Sequence, residues 1–122
     1  MLLMGLGPRL QDKVVMLSGG GGAIGRTIAL TLAMHGAFVS VGDLDGKSAE
    51  ETVSFVHHQL QSLKSTSSHT LNNVSSSNKP SQMDARLVPR RVDISNEEDV
   101  KAWVAEVKRT WGRVDVLVNK YV

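Results

Sequence analysis

Ser18-Gly19-Gly20-Gly21-Gly22-Ala23-Ile24-Gly25 is the stretch that decides the fold. It follows an apolar run, Val14-Val15-Met16-Leu17, and opens a helical pattern that begins near Ile24. Glycines let the backbone turn tightly and come close to a ligand. Where such a turn leads into a helix, the first N–H groups have no partner inside the helix and point at an anion. The stretch therefore reads as a phosphate-binding loop between a strand and a helix.

Upstream, Lys13 to Leu17 lacks polar alternation, the pattern of a central parallel strand covered on both faces. Downstream, Ile24, Ile28 and Leu32 recur at helical spacing, flanked by Ala29 and Ala33, with Gly36 as the C-terminal stop. Ala37 to Asp43 reads as a second strand ending in a carboxylate. Strand, loop, helix and strand make one right-handed βαβ unit.

A second helix follows, with Ala49, Val53, Val56, Leu60 and Leu63 on one face. The adjacent His57 and His58 lack the i, i+3 or i+4 spacing of helical metal ligands and read as helix-surface histidines. Residues 65–84 are rich in Ser, Thr, Asn, Lys and Pro, and read as a flexible polar insertion. Arg86 to Val92 resumes strand character. Pro89 cannot donate a ladder hydrogen bond, so this is an edge strand. The arginines at 86, 90 and 91 read as a solvated edge, since no stacking aromatic residues accompany them.

Ser95-Asn96-Glu97-Glu98 has the form of a helix start, with Ser95 as cap and Glu98 reaching back. Val100, Trp103, Val104, Val107 and Trp111 form the buried stripe, and Gly112 ends the helix. Val114 to Asn119 is the last strand.

The 122 residues suit one domain. The net charge of +2, from 14 basic and 12 acidic residues, gives no basic stripe for nucleic acid or an anionic membrane. Without cysteine there is neither a disulfide framework nor a thiolate metal site. No apolar run is long enough to span a membrane, and a cytoplasmic protein is the default expectation. The division expected is a short N-terminal extension, 1–9, and a single domain, 10–122.

Two dinucleotide patterns fit the loop. Gly20, Gly22 and Gly25 satisfy G-x-G-x-x-G. Ser18, Gly19, Ala23, Ile24 and Gly25 instead resemble T-G-x-x-x-G-I-G, the loop of the short-chain dehydrogenase/reductase family. Three later landmarks favour the second alignment. Asp43-Leu44 stands at the end of the second strand, where NAD-preferring members hold the adenosine ribose. Val92-Asp93-Ile94-Ser95 resembles the segment that meets the adenine, and Gly112 to Asn119 resembles the approach to Asn-Asn-Ala-Gly. Two substitutions depart from the pattern: Ser18 keeps the hydroxyl of the usual Thr, and Ala23 adds a methyl to the loop.

The resemblance implies an α/β fold, a Rossmann-like doubly wound parallel sheet. It is incomplete, with about four strands in the order 3-2-1-4 and three helices. It implies that NAD, rather than NADP, is held by Ser18, Gly19, Gly20, Gly21, Gly22, Ala23, Ile24, Gly25, Asp43, Leu44, Asp93, Ile94 and Asn119. The carboxylate of Asp43 would repel the 2′-phosphate of NADP, whereas Arg26 and Lys47 are the cations nearby that could hold it.

In the family, a Tyr-x-x-x-Lys pair and a Ser act on an alcohol or carbonyl substrate. The family places these, and the Asn that completes its four-residue site, beyond the point matched by Asn119; none has a counterpart in the 122 residues, and Lys120-Tyr121 has the wrong order and spacing. The chain is accordingly expected to be a truncated oxidoreductase, inactive alone. The alternatives are a non-catalytic NAD-binding or regulatory module, or an unstable truncated product. A small-molecule substrate would belong to a full-length form only. An oligomer or partner is expected over the apolar edge of the last strand.

Overall fold

The run Val14–Ser18 is buried at all five positions, as a strand with no polar face must be. This is β1 of the computed structural model, which describes residues 9–67 and 86–120, with the backbone alone at 64–67. In chain order the remaining elements are α1 (Ala23–Met34), β2 (Phe38–Asp43), α2 (Gly46–Ser67), β3 (Leu87–Arg91), α3 (Glu97–Trp111) and β4 (Val116–Asn119). The four strands form one sheet in the order β3-β2-β1-β4, and every pairing is parallel.

Alternation along β1 sends side chains to two cores. Val15 and Leu17 join Val39, Val41, Ala29, Val53 and Val56 beneath α1 and α2. Val14 and Met16 join Val92, Trp103 and Val107 beneath α3. Helices thus cover both faces, giving the Rossmann-like arrangement in partial form. The register pairs Ser18 with Gly42 and with Asn119, and Asp43 with Arg91. All four strands therefore end at one edge, and β1 and β4 meet where the strand order reverses. That reversal is where sheets of this kind leave a crevice for ligands.

Some details differ from the sequence reading. The sheet-facing positions of α1 are Gly25 and Ala29, while Ile24 is 62% exposed. Small residues take the inner face because α1 lies almost on the backbone of the glycine loop, and the larger Ile28 and Leu32 flank the contact. Leu63 is 52% exposed. A helix of 22 residues is roughly 33 Å long, whereas strands of five or six residues span about 20 Å, so α2 outruns the sheet it covers. Helix α2 also continues through Ser67, into the stretch expected to be a polar insertion; the rest of that stretch lies outside the described residues.

The cap of α3 is Asn96 rather than Ser95. Asn96 Oδ1 accepts from Asp99 N at 3.2 Å, while Ser95 Oγ donates to Asp93 Oδ1 at 2.6 Å. Nor does Glu98 reach back: the Asp99 carboxylate instead accepts from Asp93 N at 2.8 Å. Replacing Asn96 by Ala should cost about 1 kcal/mol in urea denaturation, and Ser95→Ala distinctly less, since it leaves the cap in place. The C-terminal stop is Gly112, with φ 85°.

β4 begins at Val116, two residues later than its apolar pattern suggests. The Asp115 carboxylate accepts from Val14 N at 2.8 Å, so a side chain replaces a ladder bond there. The edge strands are β3, as Pro89 requires, and β4, where Leu117 is 60% exposed. The three arginines near β3 are held singly. Arg86 pairs with Asp12 and lies 4.4 Å from the Phe38 ring centroid, Arg90 pairs with Glu106, and Arg91 lies 3.8 Å from Asp99.

Candidate functional site

The glycine loop is fixed on three sides before any ligand is considered. Gly20 N donates to Gly42 O at 3.0 Å, tying the loop to the end of β2. Thr52, fully buried on α2, donates from Oγ1 to Gly20 O at 2.7 Å. The Asp43 carboxylate accepts from Gly21 N at 2.9 Å through one oxygen and from Asp45 N at 2.9 Å through the other. Asp43 thus braces the loop, a role its strand-end position alone does not reveal. The capping of α2 falls to Asp45, which accepts from Lys47 N and from Ser48.

Gly19 needs its missing side chain twice over: φ is +70°, and an added Cβ would press on the carbonyl oxygen of Lys120. At Gly22, in contrast, a Cβ would meet only Lys120 Nζ, at 3.8 Å. The space ahead of α1 is therefore open. Gly22 caps α1 without a side-chain hydrogen bond, and no acidic residue stands in the first turn. Unpaired N–H groups and an uncompensated positive helix end suit an anion. Ala23 is exposed, so its methyl is not wedged into the loop packing.

Beside the loop lies a cleft of about 270 Å³. Gly19, Asp43, Leu44, Asp93 and Ile94 line it, so the crevice brings together five of the residues singled out in the sequence. Val92, Ser95 and Lys120 complete the wall. The Asp93 carboxyl is held below the usual carboxylate range, first by the Ser95 hydroxyl and then by the Ser95 N–H, and so stays ionised at neutral pH.

Ser18 and Asn119 serve differently. Ser18 Oγ, 1% exposed, donates to Asn119 Oδ1 at 2.6 Å and clasps the ends of β1 and β4 together. Both line a neighbouring apolar cavity of about 290 Å³ beneath α3, rather than the loop-side cleft. Arg26 points to α2: its guanidinium is 3.1 Å from Glu51 and donates to Thr52 at 3.3 Å.

The sequence reading missed Thr52 and Lys120. Thr52 sits beside Val53 on the inner face of α2, and a hydroxyl at a buried helical position signals a specific acceptor. Lys120 follows the strand-end Asn119 directly, which places it at the same crevice. No group of His, Cys, Asp and Glu among the described residues could hold a metal ion, and no described helix is long and apolar enough to cross a membrane.

No family model matches the chain. Individual proteins do. Levodione reductase of Leifsonia aquatica is 27% identical over 111 residues, which cover 91% of this chain and 33% of the reductase. A solved levodione reductase superposes with a TM-score of 0.67 at 27% identity, over 89% of this chain and 34% of that one. A short chain dehydrogenase from Mycobacterium smegmatis gives 0.66 at 25% identity, over 91% and 37%. The C-domain of bacterial malonyl-CoA reductase, solved with NADP, gives 0.71 at 22% identity over 91% and 15%, a likeness of fold alone. The chain spans about a third of the length of the curated relatives it matches. It is homologous to the amino-terminal Rossmann part of the short-chain dehydrogenases/reductases.

Proposed function

We propose that these residues form the dinucleotide-binding half of an oxidoreductase, with NAD preferred over NADP. The family reaction is hydride transfer between a nicotinamide and an alcohol or carbonyl substrate. One observation carries the reading: Gly22 at the open helix end of α1 and the Asp43 carboxylate line one strand-end recess, joined by the Gly21 N–H. Pyrophosphate would lie at the N–H groups of the helix start, the adenosine ribose at Asp43, and the adenine beside Leu44, Asp93 and Ile94. Each Asp43 oxygen accepts one backbone hydrogen bond and keeps a lone pair for a ribose hydroxyl. Its negative charge opposes a 2′-phosphate, and Arg26, already paired with Glu51, is drawn away from that role.

When bound, the nicotinamide supplies or accepts the hydride. The chain's own part is to bind and orient. Residues 1–122 contain no Tyr-x-x-x-Lys pair and a single tyrosine, Tyr121. In this reading they bind without turnover, and the working protein covers the apolar β4 edge with further chain or a partner.

Calorimetric titration tests the proposal. NAD⁺ should bind the 122-residue chain at least about tenfold more tightly than NADP⁺. Asp43→Asn, which retains one acceptor oxygen, should narrow that gap. Equal or tighter binding of NADP⁺ by the wild-type chain would refute the preference, and no heat with either would refute the site.

A further inference from the structure

We propose that Lys120 is a phosphate-contacting and specificity-determining residue of this cleft, its ammonium closing over the glycine loop from the β4 side. The inference rests on the dinucleotide reading above and deepens it.

Three observations place Lys120. Its backbone N–H donates to Ser18 O at 3.2 Å, which carries the β1–β4 ladder one residue past Asn119 and fixes where the side chain leaves the sheet. Its Nζ lies 3.8 Å from the point a Cβ would occupy on Gly22, the capping residue of α1. Lys120 also lines two adjoining recesses. One holds Asp93 and Leu44; the other, of about 370 Å³, lies over Gly21, Gly22 and Ser48. The ammonium thus stands at the seam between the anion end of the helix and the carboxylate end of the cleft.

The charge around it is uneven, and Lys120 is what offsets the cost of bringing a phosphate beside the cleft's carboxylates. Asp43 lines both recesses and Asp93 one of them, so the cleft carries two carboxylates. Lys120 is the one cation on either lining, and among the described residues it forms no ion pair. It is partly buried beside the loop, where water screens a charge less than at an open surface. A bridging pyrophosphate at the helix start would come within reach of both the free N–H groups and the ammonium. Such a charge-assisted contact is stronger than a neutral hydrogen bond. The chemistry recognised is a nucleotide carrying adjacent phosphates.

The test compares the wild-type chain with Lys120→Gln and Lys120→Arg, binding NAD⁺, adenosine and inorganic pyrophosphate. Both variants keep the backbone N–H, and far-UV circular dichroism checks that both fold as the wild type does. In Lys120→Gln, NAD⁺ affinity should fall about ten- to a hundredfold at low salt, the range for a lost hydrogen bond to a charged group. Lys120→Arg should restore most of it. Adenosine, followed by NMR titration, should bind all three chains alike. The NAD⁺ deficit of Lys120→Gln should shrink between about 50 mM and about 500 mM NaCl.

Unchanged NAD⁺ affinity in Lys120→Gln would overturn the inference alone, leaving the dinucleotide reading standing. An equal loss for adenosine would overturn it too, by showing a merely structural lysine. Pyrophosphate binding that depends on Lys120 while NAD⁺ binding does not would assign the lysine to a free anion instead. Failure of the wild-type chain to bind either NAD⁺ or adenosine would overturn the dinucleotide reading itself, and the inference with it.

Discussion

Gly25→Ala should destabilise the chain by about 2 kcal/mol and reduce NAD⁺ binding below detection, although it places a better helix former inside a helix. Helix propensity alone favours Ala over Gly by about 1 kcal/mol. Packing reverses the sign. A Cβ on Gly25 would stand 2.5 Å from Gly19 O and 2.6 Å from Gly20 Cα. Those are backbone atoms and have no rotamer through which to yield. Overpacking of this kind costs about 1–3 kcal/mol, and a contact with fixed backbone belongs at the upper end. Relief requires α1 to move away from the loop, which separates the helix end from the Gly20 and Gly21 hydrogen bonds that fix the cradle.

Gly22→Ala is the control, because a Cβ there meets only Lys120 Nζ at 3.8 Å. It should stay within about 1 kcal/mol of wild type, the difference between Gly and Ala at a cap. Guanidinium denaturation of the two variants beside NAD⁺ calorimetry checks the pair. Equal stability of Gly25→Ala and Gly22→Ala would show that the loop packs less tightly than its geometry requires.

This contrast also marks how far the sequence could be read. The covered parallel strand β1 was legible because its run is apolar without alternation, whereas the strand order followed from the family resemblance and not from the apolar pattern. The edge position of β3 followed from Pro89, and the C-terminus of α3 from Gly112. What escaped the reading depends on distances between separate segments. The apolar spacing of α1 points to Ile24, but contact with the loop backbone selects Gly25 and Ala29. The spacing of α2 points to Leu63, but the length of β2 and β3 decides where cover ends.

The site divides in the same way. Its residue types were legible, since a glycine loop and strand-end carboxylates carry their chemistry locally. The hydrogen bond from Gly21 N to Asp43, the buried Thr52 support and the placement of Lys120 were not, because each joins residues more than 20 positions apart. Ser18 and Asn119 enter the expected site through the family resemblance; the hydrogen bond from Ser18 Oγ to Asn119 Oδ1 in the fold is one that the sequence does not announce.

Trp103→Ala should cost about 3–5 kcal/mol, the largest loss expected from one substitution. Domain stabilities of about 5–15 kcal/mol leave little margin for it. Trp103 is 1% exposed at the centre of the core under α3, among Val14, Met16, Val92 and Val107. Its ring also fills the space left by Gly42, where a Cβ would meet Trp103 Cη2 at 2.6 Å and Val92 Cγ1 at 2.8 Å. Gly42 is the residue before Asp43, so the indole supports the strand end that carries the cleft's carboxylate. The ring has a polar tether as well, with Nε1 donating to the buried Ser40 Oγ at 2.8 Å.

Trp103→Phe separates the two contributions. It keeps an aromatic ring but leaves the Ser40 hydroxyl without its donor, a penalty of about 1–3 kcal/mol on top of the lost volume. Adding Ser40→Ala should then recover part of the loss, since removing both partners of a buried hydrogen bond costs less than removing one. A double-mutant cycle by urea denaturation measures that coupling. If the Ser40→Ala change is simply additive, the tether contributes nothing and the role of Trp103 is packing alone. If Trp103→Phe lowers NAD⁺ affinity while the chain remains fully folded, the indole also sets the position of Asp43, and the core beneath α3 is part of what shapes the cleft.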